Sequence, residues 1–196
     1  MVASLFLLLG CATEDPMKKV NALIAEGKVA QAKVEFQKVV DAEQDSNLER
    51  KFVIFCFEHK QYRDFTRLVQ SYLSRYPDDT ELKNLQYEYY AILARDAEKQ
   101  KNYSLALEYI VQKLLNAEFA DSAKWEARQT SILTKWYDAQ KEANDEEGMM
   151  SALTSMRNLG FVNLAKDLDS ERFTSLEQRN AIPATEPEPE PEPEPE

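Results

Sequence analysis

The sequence predicts an all-α protein built from antiparallel helical hairpins. Apolar residues recur at spacings of three and four from residue 17 to about residue 178, as in helices that bury one face. Turn and cap residues break the pattern at intervals, where helices are expected to end and reverse. The 196 residues include only four glycines. Phosphate-binding loops, nucleophile elbows and dinucleotide-binding turns need several closely spaced glycines, so the sequence argues against all three.

The first hairpin is predicted over residues 17–40. Apolar residues from Met17 to Ile24 fall on one helix face, and the same spacing resumes at Val29. Gly27 lies between the two runs, where a helix commonly ends on a residue with positive φ, a conformation that glycine adopts freely. We therefore expect two short antiparallel helices joined by a tight turn.

A second hairpin is predicted over residues 46–76. Ser46-Asn47-Leu48-Glu49 has the pattern of a capping box, which places a helix start at Ser46, and Pro77 stops the second helix. The run Phe52–Phe57 is apolar throughout and could alone be a buried strand. The preceding cap pattern and the lack of a strand partner favour a helix with apolar residues on more than one side.

A third hairpin follows from Asp78-Asp79-Thr80, which is predicted to cap a long helix. Apolar and aromatic residues occupy two faces of that helix, which implies neighbours on both sides. Asn102-Tyr103 is predicted to form the turn to the returning helix, which runs to about Leu114.

A fourth pair is predicted to begin near Ser122, and Asn144 with Glu147 is expected to cap its second helix. Asn158-Leu159-Gly160-Phe161 has the composition of a Schellman ending, with Gly160 in the left-handed conformation. A final helix over about residues 162–178 is expected to cover the end of the stack.

Aligned on their second helices, the hairpins repeat at uneven intervals. Val29, Tyr62, Tyr103 and Met149 fall in register, at separations of 33, 41 and 46 residues. The first separation is close to the 34-residue period of tetratricopeptide repeats. The later separations exceed that period by about two and three helical turns.

Several residues match the consensus of that repeat family. Gly27, Ala32 and Phe36 stand where it has a turn glycine, a small packing residue and an aromatic residue, and Tyr76-Pro77 gives a typical ending. Residues 17–160 thus resemble degenerate tetratricopeptide repeats, similar to those of bacterial envelope lipoproteins such as the helical lipoprotein of the outer-membrane β-barrel assembly machinery and pilus-assembly lipoproteins. The resemblance implies stacked antiparallel hairpins in a solenoid, closed by a C-terminal capping helix, with first helices lining a concave face.

The start of the chain carries a second resemblance. An apolar run ends in Leu8-Leu9-Gly10-Cys11, which resembles the lipobox of bacterial lipoproteins. It implies a signal peptide over residues 1–10 that is removed, a diacylated Cys11, and a lipid-anchored linker over residues 11–16. The run of about ten residues is too short to span a bilayer, which takes about 20.

Two features bear on location. Ala12, rather than Asp, follows the cysteine, and in lipoproteins of this kind that implies an outer-membrane anchor with the domain facing the periplasm. Met1–Ser4 lacks the basic residues of an ordinary signal peptide. A cytosolic protein that begins near Met17 therefore remains an alternative.

The end of the chain differs in composition from the helical domain predicted over residues 17–180. Residues 181–196 lead into a strict alternation of Glu and Pro from Glu186 to Glu196. Proline fixes φ and like charges repel, so a disordered tail of extended polyproline II character is expected, reaching roughly 34 Å over eleven residues. It acts either as a solubilising segment or as a reach toward a basic partner.

Composition argues against several function classes. The net charge is −11, and six acidic residues lie in the Glu-Pro tail, so the remainder carries 29 acidic against 24 basic residues. Proteins that bind nucleic acid usually carry a stripe of basic residues, so a nucleic-acid partner is not expected. His59 is the only histidine, which leaves no histidine pair for a metal. Cys56 lies in an apolar run and is expected to be a buried, inert thiol, although a disulfide with Cys11 is possible.

The sequence therefore favours a non-enzymatic scaffold or assembly factor of the bacterial envelope that binds protein partners, with no cofactor, metal or small-molecule substrate. An envelope enzyme or enzyme activator, for example one acting on peptidoglycan, is the alternative to the scaffold. Polar or aromatic residues on the first helices are the candidate partner-binding positions, and they are Asn21, Arg50, Glu88, Arg95, Tyr137 and Lys141. Tyr89, Trp125 and Trp136 could be anchors for a partner, but their helical spacing with Leu and Ile favours core residues.

Overall fold

The computed structural model describes residues 15–117 and 121–181, and these are all-helical. The predicted all-α class is therefore confirmed for this part of the chain. Cys11 and the Glu-Pro tail lie outside the described residues. The helices are α1 Lys18–Ala25, α2 Val29–Glu43, α3 Ser46–Glu58, α4 Tyr62–Arg75, α5 Thr80–Lys99, α6 Tyr103–Tyr109, a π-helical turn Ile110–Leu114, α7 Ser122–Glu142, α8 Glu146–Asn158 and α9 Val162–Ala181.

The chain divides into two compact units, and the division falls within α5, between Glu88 and Tyr89. In the first unit, α1 packs on α2, α2 on α3, and α3 on α4. In the second unit, α6 packs on α7, α7 on α8, and α8 on α9. Sequence neighbours are thus packing neighbours in each unit, as hairpins joined by short turns require.

The core of the first unit centres on α3. Phe52, Val53, Phe55 and Cys56 are each at most 4% exposed. Phe36 of α2 contacts Phe52 and Phe55, with ring centroids 5.1 and 5.7 Å apart. The apolar run is therefore a helix, as expected, and it is apolar on more than one side because α2 and α4 both pack against it.

The core of the second unit is built mainly from α7, α8 and α9. α7 packs on α8, and both helices carry fully buried residues. Phe173 of α9 is 1% exposed. Trp125 is 5% exposed and Tyr89 is 9% exposed, so both are core residues as predicted. Trp136 is only partly buried. The fully buried residues of α7 and α8 are Ile132, Leu133, Ala152, Leu153 and Met156.

The same backbone turn recurs five times along the described chain. Each turn has one residue with positive φ, and the residue after it donates its N–H to a carbonyl five positions earlier, as in a Schellman motif. The positive-φ residues are Gly27, Lys60, Lys101, Asn144 and Gly160. The bonds run from Lys28 to Leu23, Gln61 to Cys56, Asn102 to Ala97, Asp145 to Gln140 and Phe161 to Met156, at 2.7–2.9 Å. The predicted Schellman ending at Gly160 is confirmed.

These turns set the register of the second helices. They begin at Val29, Tyr62, Tyr103 and Glu146, so the last start lies three residues before Met149, the position that the sequence alignment used. Met149 instead matches the fourth position of each second helix. The residues at that position are all buried, and they are Ala32, Phe65, Ala106 and Met149.

Two predicted capping residues need correction. Asp45, not Ser46, caps α3, because its extended backbone lets its carboxylate accept the Asn47 N–H at 2.7 Å. Likewise Asp145 caps α8 by accepting the Gly148 N–H at 2.9 Å, whereas Asn144 takes the left-handed position of the turn. The backbone conformation determines which side chain lies close enough to the free N–H groups to cap the helix. The sequence pattern does not show that conformation.

Two irregularities lie in the second unit. At Ile110–Leu114 the helix after α6 widens to a π-helical turn, in which the Leu115 N–H donates to the Ile110 carbonyl at 2.9 Å. In α9 the backbone of Asp169 is extended, with φ −160° and ψ 86°, so the helix bends there. The Asp169 carboxylate accepts the Arg172 N–H at 3.0 Å and caps the helical turn that follows.

The positive-φ positions that flank α2 predict opposite effects of two substitutions. Gly27 has φ 72° and open space around its Cβ position, so Gly27→Ala is expected to lower the free energy of unfolding by about 1 kcal/mol through backbone strain alone. Gln44 has φ 49°, and Gln44→Gly is expected to leave stability unchanged or raise it by up to about 1 kcal/mol. Urea unfolding followed by circular dichroism measures both. Equal losses from both variants would contradict the account.

Candidate functional site

Four of the six candidate partner-binding residues are exposed. Asn21 lies on α1, Glu88 and Arg95 on α5, and Lys141 on α7. Arg95 also lines a cavity with other charged side chains. The other two candidates, Arg50 and Tyr137, are engaged in contacts within their own units.

Arg50 of α3 holds the start of α5. Its Nε donates to Asp79 Oδ2 at 2.6 Å, and its Nη2 also contacts Glu81. Asp79 Oδ1 accepts the Leu82 N–H at 3.1 Å and so caps α5. Burial alone would raise the pKa of Asp79, but the hydrogen bonds from Arg50 and the backbone outweigh it and lower that pKa. Arg50 therefore fixes a helix start within the first unit.

Tyr137 of α7 lies in the interior of the second unit and is 1% exposed. Its hydroxyl donates to Asp169 Oδ2 at 2.5 Å. Arg172 Nη1 donates to the same oxygen at 2.6 Å, and Arg172 Nη2 donates to Glu146 Oε1 at 2.8 Å. Burial, and next the hydrogen bond with the Asp169 carboxylate, raise the pKa of Tyr137 to about 12. This network joins α7, α8 and α9, so Tyr137 is a core residue and not an exposed one.

Cys56 and His59 lie at the end of α3. Cys56 is a free, fully buried thiol, and burial raises its pKa to about 11. It is therefore protonated at neutral pH, in agreement with the prediction of an inert thiol. The His59 ring is partly buried and lies 4.5 Å from the Phe55 ring, centroid to centroid.

A cluster of positive charge surrounds a cavity of about 280 Å³ in the second unit, which we call the α5–α6 basic cavity. It lies at the turn between α5 and α6 and reaches across to α7. One carboxylate, Glu98, and one phenol, Tyr103, complete its lining. The five cationic side chains are Arg95, Lys99, Lys101, Arg128 and Lys135.

Glu98 organises the α7 side of this cavity. Its side chain is 10% exposed, and its Oε1 accepts from Lys135 Nζ at 2.8 Å. Its Oε2 is in ion-pair contact with Arg128 Nη2. One buried carboxylate thus holds two cations at the cavity edge and leaves the cavity with excess positive charge.

The first unit has a related cluster at the turn between α3 and α4. A cavity of about 790 Å³ is lined there by four cationic side chains and one carboxylate, Asp64. Lys33 donates to Asp64 at 2.7 Å. The remaining cationic residues of this α3–α4 basic cavity are Lys60, Arg63 and Arg67. Lys60 and Lys101 occupy the same left-handed position of the recurring turn, so each unit places a lysine at the mouth of a basic cavity.

A third depression, of about 350 Å³, lies beside the π-helical turn in the second unit. It is lined by Leu107, Val111, Trp136 and Leu159 together with polar side chains and the carboxylate of Glu108. Trp136 was expected to be a core residue, but it is only partly buried because this depression reaches its ring. The depression is a candidate site for an apolar side chain of a partner.

The two basic cavities were not predicted from the sequence. The only local signal is a lysine at the turn, followed by a polar residue and tyrosine, in Lys60-Gln61-Tyr62 and Lys101-Asn102-Tyr103. The other cations come from helices that are distant in sequence. Because the chain as a whole is acidic, its composition conceals them.

Comparison with protein-family models, with curated proteins and with solved structures finds no match to this chain. Among residues 15–117 and 121–181, no helix combines the length and apolarity needed to cross a membrane. In the same residues no three His, Cys, Asp or Glu side chains are grouped as metal ligands.

The Tyr137–Asp169 hydrogen bond predicts a pH-dependent loss of stability. Tyr137→Phe is expected to lower the free energy of unfolding at pH 7 by about 1–2 kcal/mol, because a bond to a charged acceptor is lost. The pKa of Asp169 is lowered in the fold, because the hydrogen bonds from Tyr137 and Arg172 outweigh burial. Its stabilising effect is therefore present above pH ~4, the unfolded carboxyl pKa, and is lost as pH falls further.

Urea unfolding of both proteins at neutral and acidic pH measures this effect. The difference between wild type and Tyr137→Phe should shrink as pH falls below ~4 and through the lowered pKa of the folded Asp169 carboxyl, because Asp169 becomes protonated over that range. Tyr90→Phe removes a half-buried hydroxyl from the same unit and is the matched control. A difference that is the same at both pH values would contradict the assignment.

Proposed function

We propose that this protein is a lipid-anchored, non-enzymatic scaffold or assembly factor of the bacterial cell envelope. In this proposal the helical hairpins stack as a tetratricopeptide-like solenoid with α9 as its capping helix. Acyl chains on Cys11 hold the domain at the periplasmic face of the outer membrane. The solenoid captures a segment of a partner protein, so that later association steps become effectively intramolecular.

The recurring hairpin turn is the observation that carries the scaffold proposal. The same left-handed residue and the same hydrogen bond join α1 to α2, α3 to α4, α5 to α6, and α7 to α8. The fourth residue of each second helix is buried, and Ala32 and Ala106 match the small packing residue that the repeat family has there, whereas Phe65 and Met149 are larger. Repeat units that cannot bury their apolar faces alone do so by stacking, and the stacked surfaces bind peptides or partner helices.

The membrane part of the proposal is supported by the sequence alone. Leu8-Leu9-Gly10-Cys11 resembles a lipobox, and Pro16 lies only five residues beyond the cysteine. Dual acylation gives stable anchoring, whereas a single chain binds a bilayer only marginally. The helical region would then begin close to the lipid surface.

Lipidation predicts a labelling pattern that distinguishes the two cysteines. In bacterial cells given an alkyne-bearing fatty acid, the wild type is expected to take up label and Cys11→Ala to lose essentially all of it. Cys56→Ala is the matched control and should label like the wild type, because Cys56 is buried and protonated at neutral pH. No label in the wild type, or equal label in Cys11→Ala, would overturn the anchored scaffold. A product found only in the cytosol would favour the start near Met17.

Partner capture is tested by photo-crosslinking in intact cells. A photoreactive residue is placed at the exposed first-helix positions Asn21, Glu88, Arg95 and Lys141. Exposed second-helix positions, Gln70 of α4 and Ser151 of α8, are the matched controls. The proposal expects one defined envelope protein to be joined from first-helix positions at several times the control yield. Equal yields from both sets would contradict a concave binding face.

A further inference from the structure

The α5–α6 basic cavity is the strongest charge anomaly in the described residues of the second unit. Five cationic side chains and one carboxylate surround a space of about 280 Å³, in a chain whose net charge is −11. Of the five, Arg128 and Lys135 are paired with Glu98, and Lys99 lies 3.3 Å from Asp96. Arg95 and Lys101 are exposed at the mouth. Such a cavity concentrates positive potential and attracts carboxylate or phosphate groups.

We propose that the Glu-Pro segment of this same chain, residues 186–196, occupies the α5–α6 basic cavity and places its glutamates against the cavity's arginines and lysines. The inference goes beyond the scaffold function and does not depend on it. It assigns the tail an internal binding site and makes it a competitor for any acidic partner that approaches this surface.

Charge complementarity is the first argument. The segment carries six glutamates and no basic residue, and the cavity carries four more cations than carboxylates among its lining residues. A free anion approaching the protein meets the field of a net negative chain. A tethered segment is already present near the cavity at an effective concentration in the millimolar range. It can therefore bind the cavity's cations without first diffusing through that repulsive field.

Reach is the second argument. The described helix α9 ends at Ala181 in the second unit, which also contains the cavity. The fifteen residues from 182 to 196 extend to roughly 46 Å at the polyproline II rise of about 3.1 Å per residue. The longest helix of the unit, α7, has 21 residues and is about 31 Å long. The segment is therefore longer than α7, and Arg128 and Lys135 lie within that helix, six or more residues from either end.

The alternation of Glu and Pro predicts how the segment binds. With about three residues per turn, glutamates at every second position point in three directions around a polyproline II axis. Some glutamate faces the cavity in any rotation of the segment, and sliding it by two residues restores the same pattern. Several registers are therefore equivalent, and no single glutamate is essential.

Zero-length carbodiimide crosslinking of the full chain tests the site, because it joins lysine amines to nearby carboxylates. We expect mass spectrometry to find the tail glutamates joined to Lys99, Lys101 or Lys135. The yield should fall several-fold from about 0.01 M to 1 M salt, over which the screening length drops from about 30 to 3 Å. A mixture of isotope-labelled and unlabelled protein separates links within one chain from links between two.

A charge-reversal variant keeps the reporting lysines intact. Arg95→Glu lies at the cavity mouth and is expected to lower these crosslinks by about two- to fivefold, the range of one exposed ion pair. Lys166→Glu makes the same charge change at an exposed position of α9 and should leave them unchanged. Amide shifts of Lys99–Tyr103 in nuclear magnetic resonance spectra should change when all six glutamates become glutamine, and change little for any single replacement.

Three results would overturn the proposal. Crosslinks spread evenly over exposed lysines, including Lys166, would mean nonspecific contact. Links mainly to Lys33 or Lys60 would assign the segment to the α3–α4 basic cavity instead. Links that form only between labelled and unlabelled chains would make the occupant the tail of a second copy.

Discussion

The structure depends on a backbone constraint, the left-handed residue that ends one helix and lets the chain return along it. Five turns use the same geometry, and each positions the next helix by a hydrogen bond to a carbonyl of the helix before. Glycine fills this position twice, at Gly27 and Gly160, and a lysine or asparagine fills it elsewhere at some cost in strain. The turn also determines which residue of the second helix lies four positions in and faces the core.

Much of the helical pattern could be predicted because it follows from local rules. Apolar spacing, Pro77 and Gly160 locate most helices within two or three residues of their observed bounds. The buried run of α3 was assigned correctly because a cap pattern preceded it. The capping residues themselves were displaced by one position, since Asp45 and Asp145 act through backbone conformations that letters do not encode. The π-helical turn and the bend at Asp169 left no signal in the spacing of apolar residues.

The candidate site was harder to predict because it depends on contacts between distant residues. From the sequence, Tyr137 is expected to be an exposed residue on a first helix. In the structure it is a core residue, and its hydroxyl donates a hydrogen bond to Asp169, 32 residues away. From the sequence, Arg50 is expected to be an exposed cation. In the structure it forms ion pairs with Asp79 and Glu81. The α5–α6 basic cavity assembles cations from α5, the following turn and α7, so no window of the sequence contains it. Helical spacing indicates which residues face inward, but not which helix will supply the opposite charge.

Glu98 shows how an acidic chain can maintain a positive surface. The side chain of Glu98 is 10% exposed and contacts two cations of α7. Desolvation of its carboxylate is unfavourable, and the two ion pairs offset that free energy only while both cations remain close. It therefore fixes Arg128 and Lys135 at the cavity edge, at the cost of one negative charge among five positive ones. Cations on flexible exposed side chains would spread apart and lose rotamer freedom on binding an anion. A buried carboxylate that holds them in place lowers that loss, so the cavity's affinity for carboxylates comes from arrangement as much as from net charge.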